Sequence, residues 1–161
     1  MGVRLPPSAG RLDKRFASIV YSPVYSKILL ATDGSENAMR AAVHAAQLTT
    51  KFETKTTIVT VVYVPPMYSS DVAGVEEALL EDGMRVLEHT KRIFVQQDIA
   101  CTTKLIRWIH PVEAICNEGL EGKYDLIVLG RRGLSEKKRG LLGSVSEGVF
   151  RSAPCATLVV R

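Results

Sequence analysis

Glycines and arginines stand close together between positions 130 and 144, in a spacing suited to binding phosphate. Gly130 and Gly133 enclose two arginines, and after nine further residues Gly143 precedes Ser144. Glycine lets a ligand approach the backbone without a Cβ in the way, and a glycine with positive φ can turn successive N–H groups toward an anion. We therefore expect Gly133 to adopt a positive φ and the loop to bind phosphate oxygens. The alternative is an ordinary solvated surface loop.

The net charge of the chain is concentrated in the same loop. The sequence has a formal net charge of +4 at pH 7. Five basic residues and one acidic residue of the loop account for all of it: Arg131, Arg132, Lys137, Lys138, Arg139 and Glu136. Proteins that bind nucleic acid usually spread basic residues along a face and add aromatic side chains. Because the positive charge lies in one loop, the sequence instead favours a compact polyanion such as a triphosphate. We therefore predict no nucleic-acid partner.

A helix start follows the loop directly. Ser144 and Glu147 have the spacing of a capping box, in which a serine at the N-cap and a glutamate three residues later bond to each other's backbone N–H groups. The N–H groups of the first turn and the helix dipole would then favour an anion by about 0.3–1 kcal/mol. The pattern predicts phosphate bound at the start of this helix, while a cap alone would also explain Ser144.

A second polar turn follows the first apolar segment of the chain. Residues 27–32 form a short, mostly apolar run, Lys-Ile-Leu-Leu-Ala-Thr, and Asp33, Gly34 and Ser35 come next. This sequence predicts a buried strand, a turn and the start of a helix. Asp33 either accepts a hydrogen bond from a ribose hydroxyl or an adenine amine, or it caps the helix that follows.

Strands and helices that would position these two turns alternate along the chain. The patterns predict strands over 27–32, 56–64, 101–108, 124–130 and 155–161, and helices over 35–51, 72–97, 111–122 (or 111–119) and 144–152. Regular alternation at this length predicts one doubly wound α/β domain, with a five-stranded parallel sheet and helices on both faces. If the strand order is 3-2-1-4-5, the two polar turns meet at the switch point between strands 1 and 4, where such sheets bind ligands.

Composition restricts the class of protein further. Residues 1–24 are a basic tail without an apolar run of signal-peptide type, and the predicted domain covers 25–161. No apolar stretch approaches the roughly 20 residues of a membrane span. Three widely spaced cysteines, Cys101, Cys116 and Cys155, predict buried free thiols in a reducing compartment and hence a cytoplasmic protein. The histidines lie far apart in the sequence, so we predict no metal site.

Together, three segments resemble the universal stress protein family, in its ATP-binding branch. These are residues 31–35 (Ala-Thr-Asp-Gly-Ser), the spacing Gly-x2-Gly-x9-Gly-Ser over 130–144, and the closing segment 153–160 (Ala-Pro-Cys-Ala-Thr-Leu-Val-Val). The resemblance covers about residues 26–161. It implies a five-stranded sheet in the order 3-2-1-4-5 and a homodimer that pairs through the last strand, at 157–161. It also implies ATP as the ligand. The alternatives to ATP are AMP and ADP, and Mg²⁺ is an optional companion ion.

The resemblance further implies which residues bind the nucleotide. Adenine would lie near the ends of strands 1 and 2, and the phosphates and ribose would lie at the glycine loop and the next helix start. The implied binding residues are Ala31, Asp33, Val62 (through its backbone), Leu129, Gly130, Arg132, Gly133, Gly143, Ser144 and Val145. One departure from the family pattern occurs after strand 3, where Ile109 and His110 precede Pro111 without the usual glycine. Contacts on the ribose side depend on that turn.

Other nucleotide-binding and phosphate-handling classes do not fit the motifs. A nicotinamide dehydrogenase needs Gly-x-Gly-x-x-Gly after strand 1, and a P-loop NTPase needs Gly-x4-Gly-Lys-Ser/Thr; neither string occurs at the required place. A phosphoacceptor receiver domain needs an aspartate at the end of strand 3, where Arg107 and Trp108 stand. An adenylating enzyme of the α-hydrolase group would carry its glycines after strand 1.

Binding is favoured over efficient catalysis. Glu136 lies among basic residues and Glu147 is committed to the predicted capping box, so neither is a well-placed general base, and we predict no catalytic residue. The hypothesis is a nucleotide-dependent sensor or switch in stress response that acts through an unidentified protein partner. The alternatives are a slow Mg-dependent ATPase, which would act by positioning, and a nucleotide-free dimeric scaffold.

Overall fold

Strands and helices alternate along the chain, as predicted. The computed structural model describes residues 24–63, 73–134 and 142–161. The strands are β1 (Lys27–Ala31), β2 (Lys55–Val62), β3 (Cys101–Arg107), β4 (Leu126–Gly130) and β5 (Ala156–Val160). The helices are α1 (Glu36–Phe52), α2 (Ala73–Val95), α3 (Pro111–Glu121) and α4 (Ser144–Ser152). This arrangement confirms the predicted α/β class, and the observed ends differ from the predicted ones by at most two residues.

The strands form one parallel sheet in the order β3-β2-β1-β4-β5. Its central strand is β1, whose residue Leu30 lies opposite Ile58 of β2 and Val128 of β4. The predicted order is therefore confirmed. It places the carboxyl ends of β1 and β4 side by side at the switch point, where ligands of doubly wound sheets bind.

Two apolar layers cover the sheet because successive strand residues point to opposite faces. On one face Leu30 packs with Phe94 in the layer under α1 and α2. On the other face Leu29 packs with Ile115 and Val149 in the layer under α3 and α4. Full burial of each such side chain contributes about 1.5–3 kcal/mol of transfer free energy. This packing anchors the strands from whose ends the loops of the switch point begin.

Helix α1 packs closely against the sheet through small side chains. Its buried face is mostly alanine, with members Ala38, Ala41, Ala42, Ala45, Ala46 and Thr49. At Gly130, the last residue of β4, an added Cβ would lie 2.6 Å from the carbonyl carbon of Asn37 and 2.7 Å from the backbone nitrogen of Ala38. The start of α1 therefore rests directly on the end of β4, beside the switch point.

Some predicted features lie outside the described residues. These are the tail up to residue 23, the segment 64–72 with its two prolines, and the segment 135–141 with Glu136 and the basic residues 137–139. In the part of the chain that is described, no helix combines the length and the apolar character that crossing a membrane requires.

The three cysteines are free and only partly buried, which is less burial than the sequence predicts. Cys116 and Cys155 pack against the layer under α3 and α4, and Cys101 packs against the opposite layer. Burial raises the pKa of each of these thiols. The thiols are therefore protonated near neutral pH and are poor nucleophiles.

Candidate functional site

A cavity of about 130 Å³ opens at the carboxyl edge of the sheet, between the ends of β1 and β4. Both polar turns of the sequence contribute to its walls, as do the first turns of α1, α3 and α4. The residues that line it are Ala31, Thr32, Asp33, Ala38, Val59, Val61, Pro111, Ile115, Leu129, Gly130, Arg132, Gly133, Gly143, Ser144, Val145 and Ser146.

The cavity brings together all the predicted binding residues except Val62. The side chain of Val62 lies on the opposite face of the sheet, where an added Cβ on Gly83 of α2 would be 2.5 Å from its Cγ2 atom. Its backbone oxygen accepts a hydrogen bond from Trp108 N at 3.1 Å. In its place, the neighbouring Val61 lines the cavity.

Several apolar residues that line the cavity are not among the binding residues predicted from the sequence. Val59 and Val61 come from β2, and Ile115 comes from α3. Val59 pairs with Ala31 across β1 and β2, and paired residues point to the same face of a sheet. Strand register, which the sequence does not reveal, would have identified the two valines of β2. Together with Ala31 and Leu129 they make one end of the cavity apolar, whereas the loop and the start of α4 make the other end polar.

Asp33 joins the two polar turns. Its Oδ1 atom accepts a hydrogen bond from Ser35 N at 3.0 Å, and its Oδ2 atom accepts one from Leu134 N at 2.8 Å. The cap of α1 is Ser35, whose hydroxyl accepts a hydrogen bond from Ala38 N at 3.3 Å. The carboxylate of Asp33 therefore ties the loop after β4 to the turn after β1.

Gly133 does not adopt the predicted positive φ. Among the described glycines only Gly34 does so, with a φ of 77°. At Gly133 an added Cβ would lie 2.4 Å from Asp33 Oδ2. Glycine is therefore required there because the carboxylate occupies the space of a side chain, and the prediction of a left-handed backbone was wrong.

Backbone hydrogen bonds fix both ends of the loop after β4. Arg131 N donates to Val160 O at 2.6 Å, while Arg131 O accepts from Gly143 N at 2.8 Å and from Ser146 Oγ at 2.7 Å. Arg132 O accepts weaker bonds from Ser35 Oγ at 3.3 Å and from an α1 side-chain amide at 3.4 Å. The entry and the exit of the loop are therefore held together and against α1.

The start of α4 differs from the predicted capping box. The N-cap is Gly143, so Ser144 is the first helical residue and not the N-cap. Glu147 forms an ion pair with Arg151 at 2.9 Å instead of returning to the N-cap. Glu147 N is bonded to Gly143 O at 2.8 Å. Ser144, Val145 and Ser146 precede it in the first turn and line the cavity, where the helix dipole favours an anion.

Carboxylates near the cavity are engaged in other contacts, since Asp33 accepts two backbone N–H groups and Glu147 pairs with Arg151. Among the described residues there is no group of three or more His, Cys, Asp or Glu side chains that could hold a metal ion. Arg132 also lines the cavity, beside the first turn of α4. The site can therefore attract an anion at its polar end and contact a flat apolar group at its other end.

Comparison with known proteins identifies relatives over nearly the whole described region. The family model described as "Universal stress protein family" matches residues 25–161. A universal stress protein of Methanocaldococcus jannaschii is 32% identical over 86% of this chain and 83% of its own length. A universal stress protein of Bacillus subtilis is 30% identical over 86% of this chain and 100% of its own length.

Solved structures of universal stress proteins have the same fold. A Lactobacillus plantarum protein aligns with a TM-score of 0.76 at 24% identity, over 85% of this chain and 98% of its own. A universal stress protein in complex with cAMP aligns with a TM-score of 0.69 at 25% identity, over 86% and 98%. An Arabidopsis thaliana protein with AMP bound aligns with a TM-score of 0.61 at 17% identity, over 84% and 90%, which shows a shared fold.

Proposed function

Because the chain belongs to the universal stress protein family, we propose that it binds an adenine nucleotide in the cavity between β1 and β4. The proposed ligand is ATP, with AMP or ADP as alternatives and Mg²⁺ accompanying the triphosphate. One observation carries the proposal: the glycine loop, the start of α4 and an apolar wall enclose a single cavity. A related universal stress protein binds cAMP, a nucleotide of the same class.

The two ends of the cavity support a definite orientation of the ligand. A flat apolar base fits against Ala31, Val59 and Leu129, which are nearly fully buried. Phosphate fits at the first turn of α4, where backbone N–H groups and the dipole favour negative charge. Charge-assisted hydrogen bonds contribute about 1.5–3 kcal/mol each, so a few of them suffice for micromolar affinity.

We propose a sensor or switch rather than an efficient ATPase. The carboxylates nearest the cavity, Asp33 and Glu147, are held by other partners and are not poised to activate water. A bound nucleotide would then be read by a protein partner. The slow Mg-dependent ATPase remains the second hypothesis. If a variant unable to bind nucleotide released as much phosphate as the wild-type protein, the ATPase hypothesis would be contradicted.

The proposal extends to the assembly and location of the protein. Strand β5 pairs with β4 on one side only and forms an edge of the described sheet, which supports a homodimer through β5. The protonated free thiols support a cytoplasmic location, where disulfides are rare.

A direct experiment is to denature the purified protein and identify any released nucleotide, and then to measure melting with MgATP. Ligand at about 100 times Kd should stabilise the protein by roughly 2.7 kcal/mol. Val145→Asp places a negative charge at the phosphate end, yet suits the first turn of a helix. This variant should fold and lose the stabilisation, while Asn117→Asp on the exposed side of α3 should keep it. No released nucleotide and no shift in the wild type would refute the proposal.

A further inference from the structure

Thr32, which lines the cavity, is bound by a helix that lies on the other face of the sheet. Its hydroxyl lies 3.1 Å from the hydroxyl of Thr90 in α2. The two residues are only 6% and 0% exposed, and Thr90 does not itself line the cavity. The carbonyl of Thr32 accepts a further hydrogen bond from Thr60 Oγ1 at 2.9 Å. A buried side chain of α2 therefore holds the wall of the cavity from the side away from the ligand.

The contact between the two threonines has a direction, because each hydroxyl carries a single proton. Thr90 donates to Val86 O at 2.9 Å, one turn earlier in α2. Its oxygen then accepts the proton of Thr32, and the oxygen of Thr32 accepts the N–H group of Gly34 at 3.2 Å. The result is a chain of hydrogen bonds from Gly34 N to Val86 O. Removal of the Thr90 hydroxyl would leave the buried hydroxyl of Thr32 without its acceptor, which is costly.

The side chain of Val86 reaches the same turn. An added Cβ on Gly34 would lie 3.1 Å from Val86 Cγ2. Gly34 has a φ of 77°, which glycine adopts at no steric cost. Val86 and Thr90 are four residues apart and therefore lie on one face of α2. Helix α2 thus contacts residues 32–34 at two neighbouring points, by packing at Gly34 and by a hydrogen bond at Thr32.

We infer that α2 positions the turn after β1 for nucleotide binding, with Thr90 as the positioning residue. This inference rests on the proposed function. It does not depend on which group of the nucleotide the turn contacts, because Thr90 acts on the conformation of residues 32–34. Coupling of this kind is reciprocal, so a bound nucleotide stabilises the contact with α2 in turn. Helix α2 is then the element through which occupancy of the cavity reaches the opposite face of the sheet.

Thr49 and Thr56 form a matched pair of buried threonines away from the cavity. Thr49 of α1 donates to Ala45 O at 2.7 Å, one turn earlier in its helix. Its oxygen lies 2.6 Å from Thr56 Oγ1, near the amino end of β2. The two residues are 5% and 3% exposed. The bonding is the same as that of Thr90 and Thr32, but it lies at the opposite edge of the sheet.

The matched pair separates positioning from stability. Thr90→Val and Thr49→Val each remove one hydroxyl and keep the branched shape, so both should lower the melting temperature to a similar extent. In titration calorimetry Thr90→Val should raise the Kd of AMP at least about fivefold, the lower end of ordinary coupling between sites. Thr49→Val should change it by less than about twofold, as independent sites do. Thr90→Ser keeps the hydroxyl and should restore the wild-type Kd. Equal Kd values in the two valine variants, or no rescue by serine, would overturn the inference.

The coupling can also be measured in the wild-type protein, where no substitution disturbs the fold. Saturation with AMP should shift the NMR signal of the Thr90 methyl group and leave that of Thr49 unchanged. If AMP binds and the Thr90 signal does not move, or both signals move alike, the coupling is wrong and the proposed function stands. If the wild type does not bind AMP, the proposed function fails, and the positioning role fails with it.

Discussion

Gly130 and Gly133 belong to the same sequence pattern but are required by different neighbours. Beside Gly130 lies the backbone of α1, with Asn37 C at 2.6 Å from an added Cβ. Beside Gly133 lies the end of a side chain, Asp33 Oδ2. A helix backbone packed on a sheet cannot move aside, whereas a carboxylate can rotate. Gly130 therefore contributes to the stability of the fold, whereas Gly133 makes room for Asp33 in the wall of the cavity.

The two alanine variants should separate these effects. Gly130→Ala should lower the free energy of unfolding by about 1–3 kcal/mol, as overpacking does. Gly133→Ala should leave it within about 0.5 kcal/mol, as a change at an exposed loop does, while AMP binding weakens. Urea denaturation provides the measurement. Equal stability of both variants would show that α1 moves freely from the end of β4.

Asp125 should make stability depend on pH in the acid range. The hydroxyl of Ser26 lowers the pKa of this carboxyl below its ordinary value of 3.8; burial opposes the shift, and the backbone N–H groups of Ser26 and Lys27 assist it. A lowered carboxyl pKa stabilises the fold above pH 3.8, and this stability is lost as the pH falls through the lowered value. Asp125→Ala should melt about 2–4 °C below wild type at pH 7, as a loss of about 1 kcal/mol gives.

Comparing the melting of wild type and Asp125→Ala at low pH checks the sign of this pH dependence. Below the lowered pKa the wild-type carboxyl is protonated, so the melting curves of wild type and Asp125→Ala should approach each other in scanning calorimetry. A difference that grows as the pH falls would contradict the assignment of the carboxylate as the stabilising form.

Helix α2 contains a glycine, Gly83, which the sequence alone predicts only to weaken the helix. Helix propensity favours alanine over Gly83 by about 1 kcal/mol. An added Cβ there would lie 2.5 Å from Val62 Cγ2 and 2.8 Å from Leu105 Cδ1. The glycine allows α2 to lie close to β2 and β3, and this packing outweighs the propensity.

Alanine at the two glycines of α2 should therefore have opposite effects. Gly83→Ala should destabilise the protein by about 1–3 kcal/mol through overpacking. Gly74→Ala, at a position with nothing within 4 Å of the added Cβ, should be neutral or stabilising by up to about 1 kcal/mol. Thermal unfolding of the two variants measures both. A stabilising Gly83→Ala would mean that α2 does not pack on the sheet at this distance.

The elements and their alternation along the chain could be predicted because apolar periodicity and turn residues are local signals. The order of the strands in the sheet is not local, and it was predicted from the resemblance to the family. The face of the sheet to which each residue of a strand points could not be predicted. Strand β2 runs Lys-Thr-Thr-Ile-Val-Thr-Val-Val and is largely buried on both faces, so no alternation distinguishes Val61 from Val62. Only the pairing of Val59 with Ala31 reveals which valines face the cavity.

The details of the glycine loop could not be predicted for a related reason. Ser144 and Gly143 are both acceptable N-caps from sequence, and the choice depends on a distant partner. Arg131 O binds Gly143 N and Ser146 Oγ, which fixes residue 143 in an extended conformation ahead of the helix. Likewise, nothing local to Gly133 indicates Asp33, which is a hundred residues away in the chain.

Strand β5 is an edge strand of the described sheet and lies beside β4, whose end lines the cavity. Arg131 N, at the entry of the glycine loop, donates to Val160 O of β5 at 2.6 Å. Pairing of β5 with a second copy would therefore touch the strand that supports the loop. A homodimer of this kind would connect two nucleotide sites through their β5 strands.

The dimer proposal predicts the behaviour of an edge variant. Lysine on an edge strand opposes pairing with another chain. Thr157→Lys should shift the protein from dimer to monomer in sedimentation equilibrium, whereas Thr102→Lys on the opposite edge strand, β3, should leave the dimer intact. A monomeric wild type, or a dimer that only Thr102→Lys disrupts, would contradict association through β5.

Nucleotide binding at the switch point is tested most directly by an NMR titration of the nucleotide-free protein with AMP, followed through assigned backbone amides. We expect saturable shifts at Gly133, Ser144 and Val145, which line the polar end of the cavity, together with Ala31 at its apolar end. Amides far from the cavity, such as that of Asp98 after α2, should stay unchanged. Shifts that are absent at the loop and at the start of α4, or that appear only elsewhere, would contradict nucleotide binding at the switch point.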